Sequence, residues 1–177
     1  MKKLCFILLL LPSFAFAQDH VKDTLLSESF NITEDTTDID SFTTANLTLI
    51  DSLINYSHQY LGVPYKYAGR DSGGFDCSGF VCHVYHNFGY NLPPSSSAQA
   101  TQGKLVKRDS IQPGDIVYFK GRNVKSKQVG HVGIVLKNED GVITFIHASV
   151  NLGISIATTE SSYYKARYLG ARRIIKE

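Results

Sequence analysis

Asp76-Cys77-Ser78-Gly79-Phe80-Val81 opens a stretch that runs on to Phe88 and stops at Gly89. Phe80, Val81, Val84, Tyr85 and Phe88 recur at helical spacing, which predicts a helix from about Cys77 to Phe88. Cys77 then stands at a helix N-terminus, facing unpaired backbone N–H groups and the positive end of the helix dipole, both of which favour a thiolate. Its polar neighbours Asp76 and Ser78 set it apart from the usual cysteine, a small buried hydrophobe. Position alone leaves nucleophile and packing residue as equal alternatives.

Outward from this helix the pattern divides the chain in two. Before it, Leu47, Ile50, Leu53, Ile54 and Leu61 predict an amphipathic helix over 46–60, closed by Gly62 and Pro64 and followed by a glycine-rich loop to Asp76. After it, 95–102 reads as a short third helix. Beyond Pro113-Gly114 the apolar period turns alternating or continuous, and strands are expected at 116–119, 131–136, 142–148, 154–157 and 168–175, with Asn138-Glu139-Asp140-Gly141 as a hairpin turn. Helices first and strands afterwards imply an α+β domain, its N-terminal helices packed on a five- to six-stranded, mainly antiparallel sheet.

The first seventeen residues carry Lys2-Lys3, an apolar run from Leu4 to Leu11 and Ala15-Phe16-Ala17, the three parts of a secretory signal peptide cleaved after Ala17. The run is too short for a bilayer, which needs about 20 apolar residues. Cys5 lies inside it and not at the cleavage point where a lipid anchor would sit. An exported, periplasmic or extracellular protein without a membrane span is therefore expected. Residues 18–45 hold seven acidic side chains against Lys22 and no sustained apolar period, so they read as an acidic flexible leader before a domain at 46–177. In that domain fifteen Lys and Arg face nine Asp and Glu, a balance suited to an anionic polymer. No basic block with interleaved aromatics points to nucleic acid. A monomer is expected.

Export removes Cys5 and leaves Cys77 and Cys82, five apart on one predicted helix and poorly placed for a disulfide. A cysteine nucleophile needs a base, and imidazole takes and returns protons near neutrality. His131 opens the strand His131-Val132-Gly133-Ile134-Val135, at an edge from which a side chain can enter a cleft. His147 shares a strand face with Ile143 and Phe145, where a polar group needs a partner. If the two strands are hairpin neighbours, His147 can bond the far nitrogen of His131 and orient it. Each histidine alone reads more simply as a satisfied strand residue. Cys77, Cys82, His83 and His86 do not have zinc-finger spacing, and no metal or organic cofactor is expected. His58, His83 and His86 read as polar-face residues and Cys82 as packed against the sheet. In the loop before the cysteine a tyrosine hydroxyl could serve a developing oxyanion, with Tyr65 and Tyr67 equally eligible.

Taken together, Gly62-x-Pro64-Tyr65-x-Tyr67-x-Gly69, Asp76-Cys77-Ser78-Gly79-Phe80-Val81, Leu92-Pro93, Gln112-Pro113-Gly114-Asp115-Ile116-Val117, Gly130-His131-Val132-Gly133-Ile134 and Phe145-Ile146-His147-Ala148 resemble the NlpC family of bacterial cell-wall cysteine peptidases. Tyr163-Tyr164 with Arg172-Arg173-Ile174 is similar to the branch that cuts murein cross-links. The resemblance implies a papain-like fold, with Cys77 as nucleophile, His131 as base and His147 as the orienting residue. It also implies Tyr65 as the active-site tyrosine and Asp76 and Ser78 as residues lining the substrate groove. The implied reaction is hydrolysis of an amide in peptidoglycan stem peptides or their cross-links, either γ-D-glutamyl–diaminopimelate or D-alanyl–diaminopimelate, through a thioester. An amidase cutting between sugar and peptide and a catalytically silent wall-binding module are the alternatives. Where family members commonly carry Leu-Pro-Arg, this chain has Leu92-Pro93-Pro94, so a basic contact to the substrate carboxylate is expected to be missing or supplied elsewhere.

Overall fold

A computed structural model describes residues 37–176. The expected signal peptide and residues 18–36 of the expected leader lie outside the described residues. Four α-helices, α1 (Thr37–His58), α2 (Cys77–Asn87), α3 (Ser96–Gln99) and α4 (Ser162–Lys165), accompany two sheets. The small one is a hairpin of β1 (Arg70–Asp71) and β2 (Gly74–Phe75). The large one contains β3 (Lys104–Val106), β4 (Ile116–Lys120), β5 (Val129–Glu139), β6 (Val142–Ser149), β7 (Gly153–Thr158) and β8 (Tyr168–Arg173). Its strand order is β3-β8-β4-β5-β6-β7, antiparallel at every pairing. The α+β expectation holds, with the sheet at its upper expected size.

α2 forms where the apolar period placed it, and its start is fixed by a cap. Asp76 takes an extended backbone, and its carboxylate accepts from the Gly79 N–H at 2.6 Å and the Ser78 hydroxyl at 3.0 Å. Phe80, Val81, Val84 and Tyr85 are fully buried against the sheet, where they meet Val132, Ile134 and Ile146. Burial of side chains of this size is worth roughly 1.5–3 kcal/mol each. Gly79 has no room for a side chain, because a Cβ there would strike the Gly69 carbonyl oxygen. The helix can therefore press onto the loop before it.

α1 starts at Thr37, nine residues earlier than expected, so the last part of the segment read as leader is helical. Leu53 is fully buried, Ile50 and Ile54 half-buried, and Leu61 lies beyond the helix and exposed. α3 is shorter than the expected 95–102, and the Ser95 side chain caps it by accepting from the Ala98 N–H. Asp140 and Gly141, both at positive φ, alone make the β5–β6 turn, while Asn138 and Glu139 pair within the strands. The hairpin at 70–75 falls in the stretch read as loop, and β3 and α4 in stretches to which the sequence assigns no element. The other face of the sheet carries a second apolar cluster of Val117, Phe119, Val135, Ile143 and Phe145, covered in part by Tyr164 and Tyr168.

Candidate active site

β5 and β6 bring the two strand histidines together. His131 pairs with Phe119 across β4, and His147 packs beside Gly133, where an added Cβ would lie 3.2 Å from the His147 Cβ. A glycine here leaves space for the two rings to meet. His131 Nε2 lies 3.0 Å from His147 Nδ1, with the rings nearly perpendicular and their centroids 4.9 Å apart. The sequence-predicted contact between these side chains is present, and it occupies the Nε2 nitrogen of His131.

Cys77 reaches the same place from α2. The backbone N–H groups of Val132, Ser78 and Cys77 pull its thiol toward the thiolate, and Val132 immediately follows His131. Cys77, His131, His147 and Tyr65 line one cavity of about 680 Å³. The thiolate favoured by those N–H groups is nevertheless not the resting form. Burial, the largest influence, pushes the thiol pKa up, and the nearby Asp76 carboxylate adds to it. This corrects the expectation from helix position alone. Burial likewise pushes His131 down to about 3, aided by His147, and His147 down to about 4 against a weaker pull from the Ala148 backbone. The resting site therefore holds a neutral thiol and two neutral imidazoles.

The two loop tyrosines separate. Tyr65 is half-buried, bridges to Phe75, and has its hydroxyl pKa raised, first by burial and then by Cys77 and Asp76. Tyr67 is 88% exposed. Both line the cavity, and the Tyr65 hydroxyl is within the influence of Cys77. Asp76 and Ser78 do not line the cavity: Asp76 caps α2, and the buried Ser78 hydroxyl donates to Asp76 and to the Pro94 carbonyl at 3.2 Å. Both hold the nucleophile's helix in place.

Cys82 is turned toward the 92–99 segment and not the sheet. Its thiol donates to the Leu92 and Pro93 carbonyls and accepts from the Gln99 amide. His83 is half-buried, with Nε2 2.7 Å from the Tyr60 hydroxyl and 3.2 Å from that of Tyr56, so it ties α2 to α1 and does not lie on a solvated face. His86 is exposed and bonded to Asn91. These partners diverge, and among the described residues no group of histidine, cysteine or carboxylate side chains could hold a metal.

Sequence reasoning gave Tyr164 no role in the site. It stands two residues into α4, its hydroxyl lies 3.2 Å from His147 Nε2, and its ring is stacked on that of His131 at 6.1 Å. Burial pushes its hydroxyl pKa up to about 12. Only the aromatic pair Tyr163-Tyr164 near the C-terminal end of the domain pointed to it.

A helix-borne thiol set against a strand-borne imidazole pair, on helices backed by an antiparallel sheet, is the papain-like arrangement. The chain belongs to the NlpC/P60 family, whose model matches residues 62–173. It is 34% identical over 131 residues to the murein DD-endopeptidase MepS/murein LD-carboxypeptidase of Escherichia coli strain K12, covering 73% of this chain and 65% of that one. Similarity to the probable endopeptidase NlpC of the same strain is 36% over 131 residues, 73% of this chain and 80% of that protein. Among solved structures, an NlpC/P60 family protein from Bacillus cereus superposes with a TM-score of 0.65 at 34% identity, over 72% of this chain and 40% of that one.

Proposed function

We propose that this protein is a peptidoglycan hydrolase, a cysteine endopeptidase that cuts an amide in murein stem peptides or their cross-links. The observation that carries the reading is the convergence of Cys77 with the bonded pair His131 and His147 on one cavity. The relatives named as murein endopeptidases support the substrate class and, with it, a location outside the cytoplasmic membrane. No described helix is long and apolar enough to cross a membrane.

In this reading His131 receives the Cys77 proton at Nδ1 as the sulfur attacks the amide carbonyl. Nδ1 must then be bare, so Nε2 carries the hydrogen and donates to His147 Nδ1. His147 in turn is protonated at Nε2 and donates to the Tyr164 hydroxyl. Tyr164 thereby holds the His147 ring, and His147 that of His131. The Cys77 backbone N–H is a donor for the oxyanion. As the C–N bond breaks, His131 passes its proton to the leaving amine and a thioester remains. Water, deprotonated by His131, then attacks the thioester and releases the acid and the thiol.

Purified wall fragments incubated with the protein are expected to give products whose masses sum to about 18 Da, one water, more than the fragment cut, read by mass spectrometry. Cys77→Ala is expected to lose at least about 1,000-fold in rate, as other nucleophile deletions do. Persistent hydrolysis by Cys77→Ala would remove the nucleophile. Product masses that assign the cut to the sugar–peptide bond would make it an amidase, and intact fragments with retained binding a wall-binding module.

A further inference from the structure

We propose that Arg122, on the loop joining β4 and β5, binds a free carboxylate that lies beside the scissile amide of the substrate. The assignment deepens the peptidase reading above and rests on it for the identity of the amide. Lys120 and Arg122 supply the cationic groups of the cavity wall, and no Asp or Glu is among the described residues that line it. The loop carries Lys125 and Lys127 as well and no acidic residue between 120 and 128.

This loop is built, not slack. The Gly121 N–H donates to the Gln128 carbonyl at 3.2 Å, the Ser126 N–H to the Asn123 carbonyl at 3.1 Å, and the Lys125 N–H to the Asn123 side chain at 3.0 Å. The Lys120 ammonium is spent on the Val124 carbonyl at 3.0 Å, so it secures the loop. The Arg122 guanidinium is paired with no carboxylate among the described residues. It acts on the Tyr65 hydroxyl, which Cys77, Asp76 and Tyr67 also influence, so its charge is felt next to the nucleophile.

The position where the family commonly has a basic residue is Pro94 here, which does not line the cavity and whose carbonyl serves Ser78. Arg122 places a cation in the cavity wall without it. Both candidate bonds present it with the same chemistry. A γ-glutamyl linkage leaves the glutamate α-carboxylate free, and a D-alanyl cross-link to diaminopimelate leaves a carboxylate on the carbon bearing the departing amine. A planar guanidinium fork matches a carboxylate with two parallel N–H donors and has no such fit to an amide.

Two synthetic stem peptides, identical except that the carboxylate beside the scissile bond is a carboxamide in one, test this by calorimetric titration of the Cys77→Ala protein, which binds without turnover. The acid is expected to bind about tenfold tighter than the amide, and the preference to shrink at high salt. Arg122→Ala in the same background is expected to erase the preference, and Arg122→Lys to restore part of it. Equal binding of the two peptides, no binding of either, or a preference that survives Arg122→Ala each overturns the assignment. Hydrolysis by the intact enzyme is read separately. Turnover without discrimination removes Arg122 and keeps the peptidase, whereas discrimination without turnover removes the peptidase and keeps the anion site.

Discussion

Cys77 sits under two opposed influences: three backbone N–H groups draw it toward the thiolate, and loss of water pushes it back. Desolvation is the larger, so the free protein stores a thiol, and the proton leaves in step with attack. Carbamidomethylation of Cys77 should therefore keep speeding up beyond about pH 8.5, the range of an ordinary thiol, with no plateau below pH 7. Iodoacetamide labelling at graded pH, read by mass spectrometry, checks this, and a plateau near neutrality would mean that a thiolate–imidazolium pair already exists at rest. Cys77 should still label faster than Cys82, because it lines the cavity while the Cys82 thiol is bonded to two carbonyls. At the far end of the chain of bonds, Tyr164→Phe keeps the ring packed on Phe119 at 5.0 Å and Phe145 at 4.9 Å and deletes only the hydroxyl. Tyr164 is a positioning residue, so kcat should fall about tenfold with KM within twofold and the melting temperature little changed. A matching loss of stability would instead make it a packing residue.

At the scale of elements, α2 carries the nucleophile and everything around it fixes where that helix begins. The Asp76 cap satisfies the Gly79 N–H of the first turn, and Gly79 lets the Gly69 loop close onto that turn. Asp76→Ala should cost about 1 kcal/mol, the usual worth of a cap. Gly79→Ala, though favourable for an isolated helix, should cost at least about 2 kcal/mol, because the loop must move off. Urea unfolding of both variants gives the comparison, and a stabilised Gly79→Ala would show that the contact yields freely. The same element shows what a sequence can reveal. Phe80, Val81, Val84 and Tyr85 repeat with the period of the helix, and β4 to β6 repeat with that of buried strands, so their types and approximate bounds were readable. β3 is three residues with two exposed, and α4 is a single turn with no apolar face, so neither has a period to read. His131 and His147 were legible as a pair through the hairpin. Tyr164 was not, since its bond to His147 is made by a turn between β7 and β8 that no local pattern encodes. His83 was misread for a similar reason: its partners are Tyr56 on α1 and Tyr60 just past the end of that helix.

Across the whole molecule, buried charge is used sparingly and buried neutrality widely. Asp115, 2% exposed in its side chain, is held by Arg173 at 2.9 Å and by the Gln112 N–H, which locks the Gln112-Pro113-Gly114 turn onto β8. Asp115→Ala leaves that guanidinium facing a buried gap and should cost about 3 kcal/mol, measured by denaturant unfolding at pH 7. The histidines act on stability through pH. His131 and His147 resist protonation down to about 3 and 4, whereas an unfolded chain protonates both near pH 6.5. Below pH 6.5 the unfolded state therefore binds more protons than the folded one, and stability falls as pH falls. Above pH 6.5 both states are neutral at these groups and their contribution is flat. Each fully uncompensated histidine gives a slope approaching about 1.4 kcal/mol per pH unit, so the fall steepens between pH 6 and about 4. His83, also lowered by burial, adds to it. The informative quantity is a difference of slopes between two proteins that share every other group. His147→Asn can still accept from His131 and takes one titrating group out of the interior, so its urea midpoints from pH 7.5 to 4.5 should decline less steeply than those of the wild type. Parallel declines would show that His147 gains a proton as readily folded as unfolded, and the dry, neutral histidine pair would then no longer describe the site.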